Sequence, residues 1–206
     1  MLGNFLTSVK RRNSQLVVDA QLHFDEGVRL ASKGLYPKAL MELKLATRAN
    51  PHHAEARIEL GRTYHKMCQL PKAIKAYLCA LKVRPNFVAA YKNLGAAYDD
   101  LGQFVEALGA YSKAIVLAPQ DPELRNDLGL AYFNIGSYPE AIKAFNQALN
   151  IEPGNGRAHY GLGLVYLDLG DIEMASAEHD HLNGRNDKHL ALQLLEKIQY
   201  QIRQAS

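Results

Sequence analysis

Cysteine, net charge and long apolar runs are all scarce in this chain of 206 residues, and each scarcity excludes a class of protein. Two cysteines, Cys68 and Cys79, are too few for a disulfide framework or a four-cysteine zinc site. We therefore expect both to be packing residues in a reducing compartment. The formal net charge is only +3, which disfavours a nucleic-acid partner recognised through its phosphates.

Membrane insertion and secretion are disfavoured by the same kind of absence. No stretch approaches the roughly 20 apolar residues that cross a bilayer. Near the N-terminus the basic residues Lys10, Arg11 and Arg12 interrupt the apolar positions before a signal-peptide core can form. These observations predict a cytoplasmic protein, and 48% hydrophobic residues are enough to build a sizeable core.

An internal repeat with a period of 34 residues organises the sequence without insertion or deletion. Each copy has a glycine at the same position, at Gly27, Gly61, Gly95, Gly129 and Gly163. An alanine follows twelve residues later, at Ala39, Ala73, Ala107, Ala141 and Ala175. Small residues at fixed positions let two antiparallel helices approach closely, so we expect these ten positions to lie at helix crossings.

A second set of positions predicts the turn inside each repeat. Glycines 34, 102, 136 and 170 recur at the same offset, where a residue in the left-handed conformation ends the first helix, and Cys68 replaces the glycine in the second repeat. Pro37, Pro71 and Pro139 suit the first turn of the helix that follows.

These residues resemble the tetratricopeptide repeat family, whose pattern places Leu-Gly, Tyr, Ala and Pro at fixed offsets. The resemblance implies an all-α fold, a right-handed α-solenoid of antiparallel helix pairs. An N-terminal amphipathic segment, residues 1–19, precedes the array, and a C-terminal capping helix, residues 190–206, follows it. The five repeats are predicted at 20–53, 54–87, 88–121, 122–155 and 156–189.

Catalytic and metal-binding patterns are missing from the sequence, which predicts a protein that is not an enzyme and has no cofactor. No phosphate-binding glycine loop, nucleophile elbow or paired zinc-histidine motif is found. His179 and His181 are too closely spaced to share one ion from an intact helix, because residues two apart point in nearly opposite directions. We therefore predict no metal site.

The resemblance implies that the first helices of the repeats line a concave groove that binds an extended peptide or a partner helix. Repeat two offers a basic segment at Arg62, His65 and Lys66, whereas the groove positions of repeats four and five are apolar. The predicted groove residues are Asp25, Val28, Glu59, Arg62, His65, Lys66, Lys92, Asn93, Asn126, Asp127, Leu130, Phe133, Tyr160, Leu164 and Leu167.

One known partner class of the family is disfavoured. Some members hold the C-terminal carboxylates of chaperones with Lys, Asn and Arg side chains from three successive first helices. Starting that pattern at Lys92 places Ala96 and Asp127 where asparagines are needed, and Asp127 would repel a carboxylate.

We conclude from the sequence that the chain is a protein–protein interaction module, an adaptor or a scaffold for complex assembly. Two alternatives stay open: a regulatory helical subunit of an enzyme or signalling complex, and a membrane-associated assembly factor. Residues 2–12 carry an apolar stripe of Leu2, Phe5, Leu6 and Val9 beside a basic cluster. This stripe predicts a short helix that caps the array, with self-association or membrane contact as its other uses.

Overall fold

The computed structural model describes residues 18–184 and 187–205, and all the regular secondary structure in these ranges is α-helical. The apolar stripe within residues 2–12 lies outside the described residues. Within the described ranges, no helix is both long and apolar enough to cross a bilayer. The chain divides between Leu101 and Gly102 into two compact units.

Residues 18–101, the described part of the first unit, contain five helices, and each of the second to fourth packs against the helix that follows it. Their bounds are α1, 18–32; α2, Tyr36–Ala49; α3, Ala54–Lys66; α4, Leu70–Val83; and α5, Val88–Asp100. The first helices of repeats two and three, α3 and α5, also contact each other. This contact places successive first helices side by side.

The second unit, as described over residues 102–184 and 187–205, contains six helices arranged in the same way. Their bounds are α6, Phe104–Leu117; α7, Pro122–Asn134; α8, Tyr138–Ile151; α9, Gly156–Asp168; α10, Ile172–Asn183; and α11, Lys188–Ala205. Here α7 contacts α9, and α11 packs against both α9 and α10. The C-terminal helix therefore continues the row of first helices and does not lie apart from it.

The predicted turn conformation is confirmed in all five repeats. Glycines 34, 102, 136 and 170 have φ between 73° and 78°, and Cys68 has φ 56°. The left-handed residue lets a backbone amide beyond the helix reach back into its last turn, as in the bond of 2.9 Å that the amide of Gln69 donates to the carbonyl of Tyr64. The three prolines predicted for the following helices stand in their first turns.

Replacing Cys68 with glycine is expected to stabilise the first unit. A side chain in the left-handed region destabilises the folded chain by about 1–2 kcal/mol. Replacing it with glycine removes this strain, but glycine also gives the unfolded chain more conformational freedom, which offsets about 0.5–1 kcal/mol of the gain. Cys68→Gly should therefore raise the free energy of unfolding by about 0.5–1 kcal/mol in urea titrations. The reverse change at an equivalent turn, Gly136→Cys, should lower it, and a Cys68→Gly protein no more stable than wild type contradicts the expectation.

Close helix crossings occur at the repeat glycines for which the contacts are described. A Cβ atom built on Gly61 would lie 2.5 Å from Cε1 of Tyr77, and one built on Gly129 would lie 2.6 Å from Cε1 of Phe145. In each case the ring belongs to the second helix of the same repeat. The five repeat alanines are fully buried. The glycines and alanines of the repeat thus leave room for one large side chain, such as Tyr77 or Phe145, between the two helices of a repeat.

Repeat five departs from this arrangement, and the sequence pattern did not show which side chain fills the space of the missing aromatic ring. The repeat position of Tyr77 and Phe145 is occupied there by His179, whose side chain lies beside Asp180. The space over Gly163 is filled instead by Leu194 of α11, whose Cδ2 would lie 2.5 Å from an added Cβ. Leu194 and Ile198 belong to the core of repeat five. The helix α11 therefore completes the last repeat and does more than cover its end.

Candidate surfaces for partner binding

In the first unit, predicted groove residues from α1 and α3 meet at one small cleft of about 220 Å³. Val28 contributes from α1, and Glu59, Arg62 and Lys66 contribute from α3. A neighbouring cavity of about 250 Å³ is lined by four of the groove residues predicted on α3 and α5, namely Arg62, His65, Lys66 and Asn93, together with Tyr77. We call these two adjoining sites the basic surface.

The charges of the basic surface are partly compensated by acidic neighbours. Nη1 of Arg62 lies 2.9 Å from Oε1 of Glu59, and Nε2 of His65 lies 2.6 Å from Oδ2 of Asp100. Lys66 is exposed and makes no ion pair with any described residue. A ligand carboxylate would therefore meet Lys66 without displacing an internal partner, whereas Arg62 would have to exchange or share Glu59.

In the second unit, three predicted apolar residues line a cleft of about 480 Å³: Phe133 from α7, with Leu164 and Leu167 from α9. Leu130 packs against the core around Phe145, and Tyr160 packs against the core of repeat five, where burial raises the pKa of its hydroxyl. Both are only partly exposed. Fewer apolar residues are therefore available to a ligand in this cleft than the repeat positions predicted.

The opposite wall of this cleft was missed by the sequence reasoning, because α11 was interpreted only as a cap. Glu196, Lys197, Tyr200 and Gln201 of that helix face the apolar residues of α7 and α9. Nε2 of Gln201 donates a hydrogen bond of 2.8 Å to the carbonyl of Leu167, which fixes α11 against the end of α9. The available signal in the sequence was Tyr200, an aromatic residue that lies off the apolar stripe of Leu190, Leu194, Ile198 and Ile202.

The prediction that Asn126 lines the groove is wrong. Its side chain is fully buried, and its Nδ2 donates a hydrogen bond of 2.8 Å to Oδ1 of Asn155. Asn155 in turn caps α9, accepting a bond from the amide of Ala158. Asn126 therefore ties α7 to the start of the next first helix, and a ligand cannot reach it without opening this contact.

The remaining predicted positions are exposed or half-buried and mostly paired within the chain. Asp25 accepts a hydrogen bond from Gln21 one turn earlier. Arg157 lies against both Glu123 and Asp127, with Nη2 3.3 Å from Oδ1 of Asp127. The guanidinium of Arg157 is thus engaged by two carboxylates of its own chain. Lys92 is half-buried on α5.

Several histidines lie beside carboxylates, and two of them stack on each other. Nδ1 of His159 lies 2.6 Å from Oε2 of Glu178, and the His159 ring stacks on His181 at a centroid distance of 4.9 Å. Four repeats earlier, His23 and Glu42 make the same contact at 2.7 Å. Among the described residues, no group of three His, Cys, Asp or Glu side chains is placed to hold a metal ion.

Comparisons with known proteins agree with this architecture. Residues 30–98 match a family model described as tetratricopeptide repeat, and residues 95–136 and 131–170 match another described as TPR repeat. No curated protein sequence matches the chain.

Solved structures resemble the chain over most of its length. A crystal structure of MamA has a TM-score of 0.68 and 27% identity, covering 83% of this chain and 95% of that one. A thermophilic TPR protein of Thermus thermophilus has a TM-score of 0.69 and 25% identity, covering 87% and 98%. YrrB, described as a TPR protein with an unusual peptide-binding site, shares the fold at a TM-score of 0.68, 24% identity and coverages of 86% and 92%. The predicted class, an all-α solenoid of helix pairs, is confirmed, and the chain belongs to the tetratricopeptide repeat family.

Proposed function

We propose that the chain is a non-enzymatic adaptor or assembly scaffold, and that it binds a partner peptide or helix along the exposed face of its first helices. The family consists in general of interaction modules, and the repeat positions named above are occupied by packing residues. The observation that carries the proposal is the basic surface, where side chains from successive first helices converge without being needed for the core.

The chemistry of this surface favours an acidic or mixed-charge partner. Lys66 is a cation that pairs with no carboxylate among the described residues, and Arg62 and His65 stand beside it, each near one carboxylate of its own chain. A partner carboxylate can bind Lys66 directly and share Arg62. Electrostatic contacts of this kind fix the register of a bound peptide more than they raise its affinity.

Charge reversal on this surface should weaken partner capture while leaving the fold intact. The double variant Arg62→Glu/Lys66→Glu removes two cations from exposed positions, where a change in charge usually alters stability by less than about 1 kcal/mol. Affinity purification with mass spectrometry should then recover less of at least one partner than wild type does. The matched control, Lys113→Glu/Lys143→Glu, reverses two exposed lysines on second helices and should capture partners normally. Equal recovery of every partner by the basic-surface variant contradicts the proposal.

We propose further that residues 2–12 join one copy of the chain to the next. Their apolar stripe needs an apolar partner, and the cleft of the second unit between α7, α9 and α11 provides one. A competing position lies on the same molecule, at Leu22 of α1. That side chain is 63% exposed, although the residue at the same position in the four later repeats is buried.

Light scattering distinguishes binding of residues 2–12 to a second copy from binding to their own molecule. Contact between unlike surfaces of two copies need not close, so the full chain should form species that grow with concentration. The variant Phe5→Ser/Leu6→Ser, which breaks the apolar stripe, should remain monomeric under the same conditions. If wild type is monomeric at high concentration as well, the segment serves only its own molecule and self-association is excluded.

A further inference from the structure

The cleft of the second unit combines an apolar floor with an exposed aromatic ring on one rim. Phe133, Leu164 and Leu167 form the floor, and Leu167 is almost fully buried. Tyr200 stands on α11 with 66% of its surface exposed. A volume of about 480 Å³ falls within the range of natural ligand sites, roughly 300–1,000 Å³, and admits one or two bulky side chains.

The rim of this cleft is acidic. Asp168 and Glu196 are exposed carboxylates on the rim, and Lys197 is the cation that faces them there. Asp168 accepts a hydrogen bond of 3.2 Å from the hydroxyl of Tyr138 through Oδ2, which holds the carboxylate at the end of α9.

The ends of the two first helices add to this negative potential. Both α7 and α9 terminate at the cleft, with Phe133 and Asp168 in their last turns, and neither has a basic residue in that turn. The carbonyl end of a helix carries a partial negative charge that a nearby cation ordinarily compensates. Neither α7 nor α9 supplies that cation from its own last turn, and Lys197 of α11 is the one cation among the lining residues of the cleft.

We propose that this cleft binds a peptide segment in which one or two bulky apolar side chains are followed closely by Arg or Lys. The apolar side chains occupy the floor of Phe133, Leu164 and Leu167. The cation lies between the carboxylate of Asp168 and the face of the Tyr200 ring, where ion pairing and cation–π attraction act together. The proposal rests on the proposed function, since it assigns partner chemistry to one part of the first-helix face.

Three matched peptides test the proposal with the full chain carrying Phe5→Ser/Leu6→Ser, so that the apolar stripe of residues 2–12 does not compete for the cleft. The first is a ten-residue Gly/Ser peptide that carries Phe-Leu and, one residue later, Arg-Arg. In the second peptide, glutamates replace the arginines, and in the third, serines replace Phe-Leu. Isothermal titration calorimetry should give a dissociation constant for the first peptide at least tenfold lower than for either of the others.

Two variants then locate the binding site. Asp168→Lys/Glu196→Lys should weaken the Arg-Arg peptide at least tenfold and reverse the preference toward the Glu-Glu peptide. Tyr200→Ser should weaken the Arg-Arg peptide severalfold, because it removes the ring beneath the cation. The control Glu140→Lys/Glu173→Lys reverses two exposed carboxylates on second helices and should leave all three affinities unchanged.

Two results overturn the proposal. One is equal affinity for the Arg-Arg and Glu-Glu peptides, and the other is an affinity for the Arg-Arg peptide that neither Asp168→Lys/Glu196→Lys nor Tyr200→Ser changes. Failure of all three peptides to bind overturns it as well. None of these results tests the basic surface, because partner binding through Arg62 and Lys66 is measured in a separate experiment, the affinity purification of cellular partners. The partner chemistry of the cleft can therefore fail while the interaction function of the chain stands.

Discussion

Truncation of Phe145 to alanine is expected to lower the free energy of unfolding of the second unit by about 3–5 kcal/mol, the usual cost of removing a buried phenylalanine ring. Phe145 is fully buried on α8 and lies between two glycines of different helices. An added Cβ on Gly129 of α7 or on Gly161 of α9 would come within 2.6 Å of its ring atoms. One ring thus fills the space at two helix crossings, so its loss opens both.

Urea denaturation followed by far-ultraviolet circular dichroism measures this effect. Phe145→Leu is the conservative control and should cost clearly less, because it keeps most of the buried volume. Tyr77, at the same repeat position in the first unit, offers an internal comparison. If Phe145→Ala changes the free energy of unfolding by less than about 1 kcal/mol, the ring does not carry the packing assigned to it.

The second large effect is expected from Gly129→Leu, which should destabilise the second unit by about 1–3 kcal/mol or more through overpacking. The added side chain has to enter the space that the Phe145 ring already occupies, since even a Cβ would lie 2.6 Å from Cε1 of that ring. The control is Gly109→Leu on α6, where an added Cβ meets nothing within 4 Å. That variant should be as stable as wild type or slightly more stable, because leucine favours helix more than glycine does.

The double variant Gly129→Leu/Phe145→Ala sharpens this test. If the two side chains compete for one space, the leucine fills the cavity left by the ring, and the combined loss of stability is smaller than the sum of the single losses. Contacting residues typically couple by about 0.5–3 kcal/mol. Additive losses, or a melting temperature of Gly129→Leu equal to wild type, show that the crossing lies elsewhere.

The elements that follow the repeat period could be predicted from the sequence because each depends on local backbone geometry or on side-chain size. The left-handed turn at Cys68 is an example: its position in the period identified the conformation although the residue is not glycine. Helix bounds follow the same rule, and α3, α5, α7 and α9 begin at intervals of 34 residues.

Features that depend on pairing between helices could not be predicted in this way. His65 and Asp100 are 35 residues apart, and their contact depends on rotamers and on how α3 and α5 pack. Asn126 was predicted to line the groove, but its amide turns inward to Asn155. Leu194 fills the space over Gly163, but it follows the last repeat in the sequence, so the 34-residue period could not predict this contact.

The central claim is that the exposed face of the first helices binds a partner, and hydrogen–deuterium exchange of the chain with and without a captured partner tests it most directly. We expect added protection in α1, α3 and α5 around Arg62 and Lys66, or in α7, α9 and α11 around Phe133 and Tyr200. The second helices α4, α6 and α8 should exchange at unchanged rates. Protection confined to those second helices, with the first helices unaffected, contradicts the account.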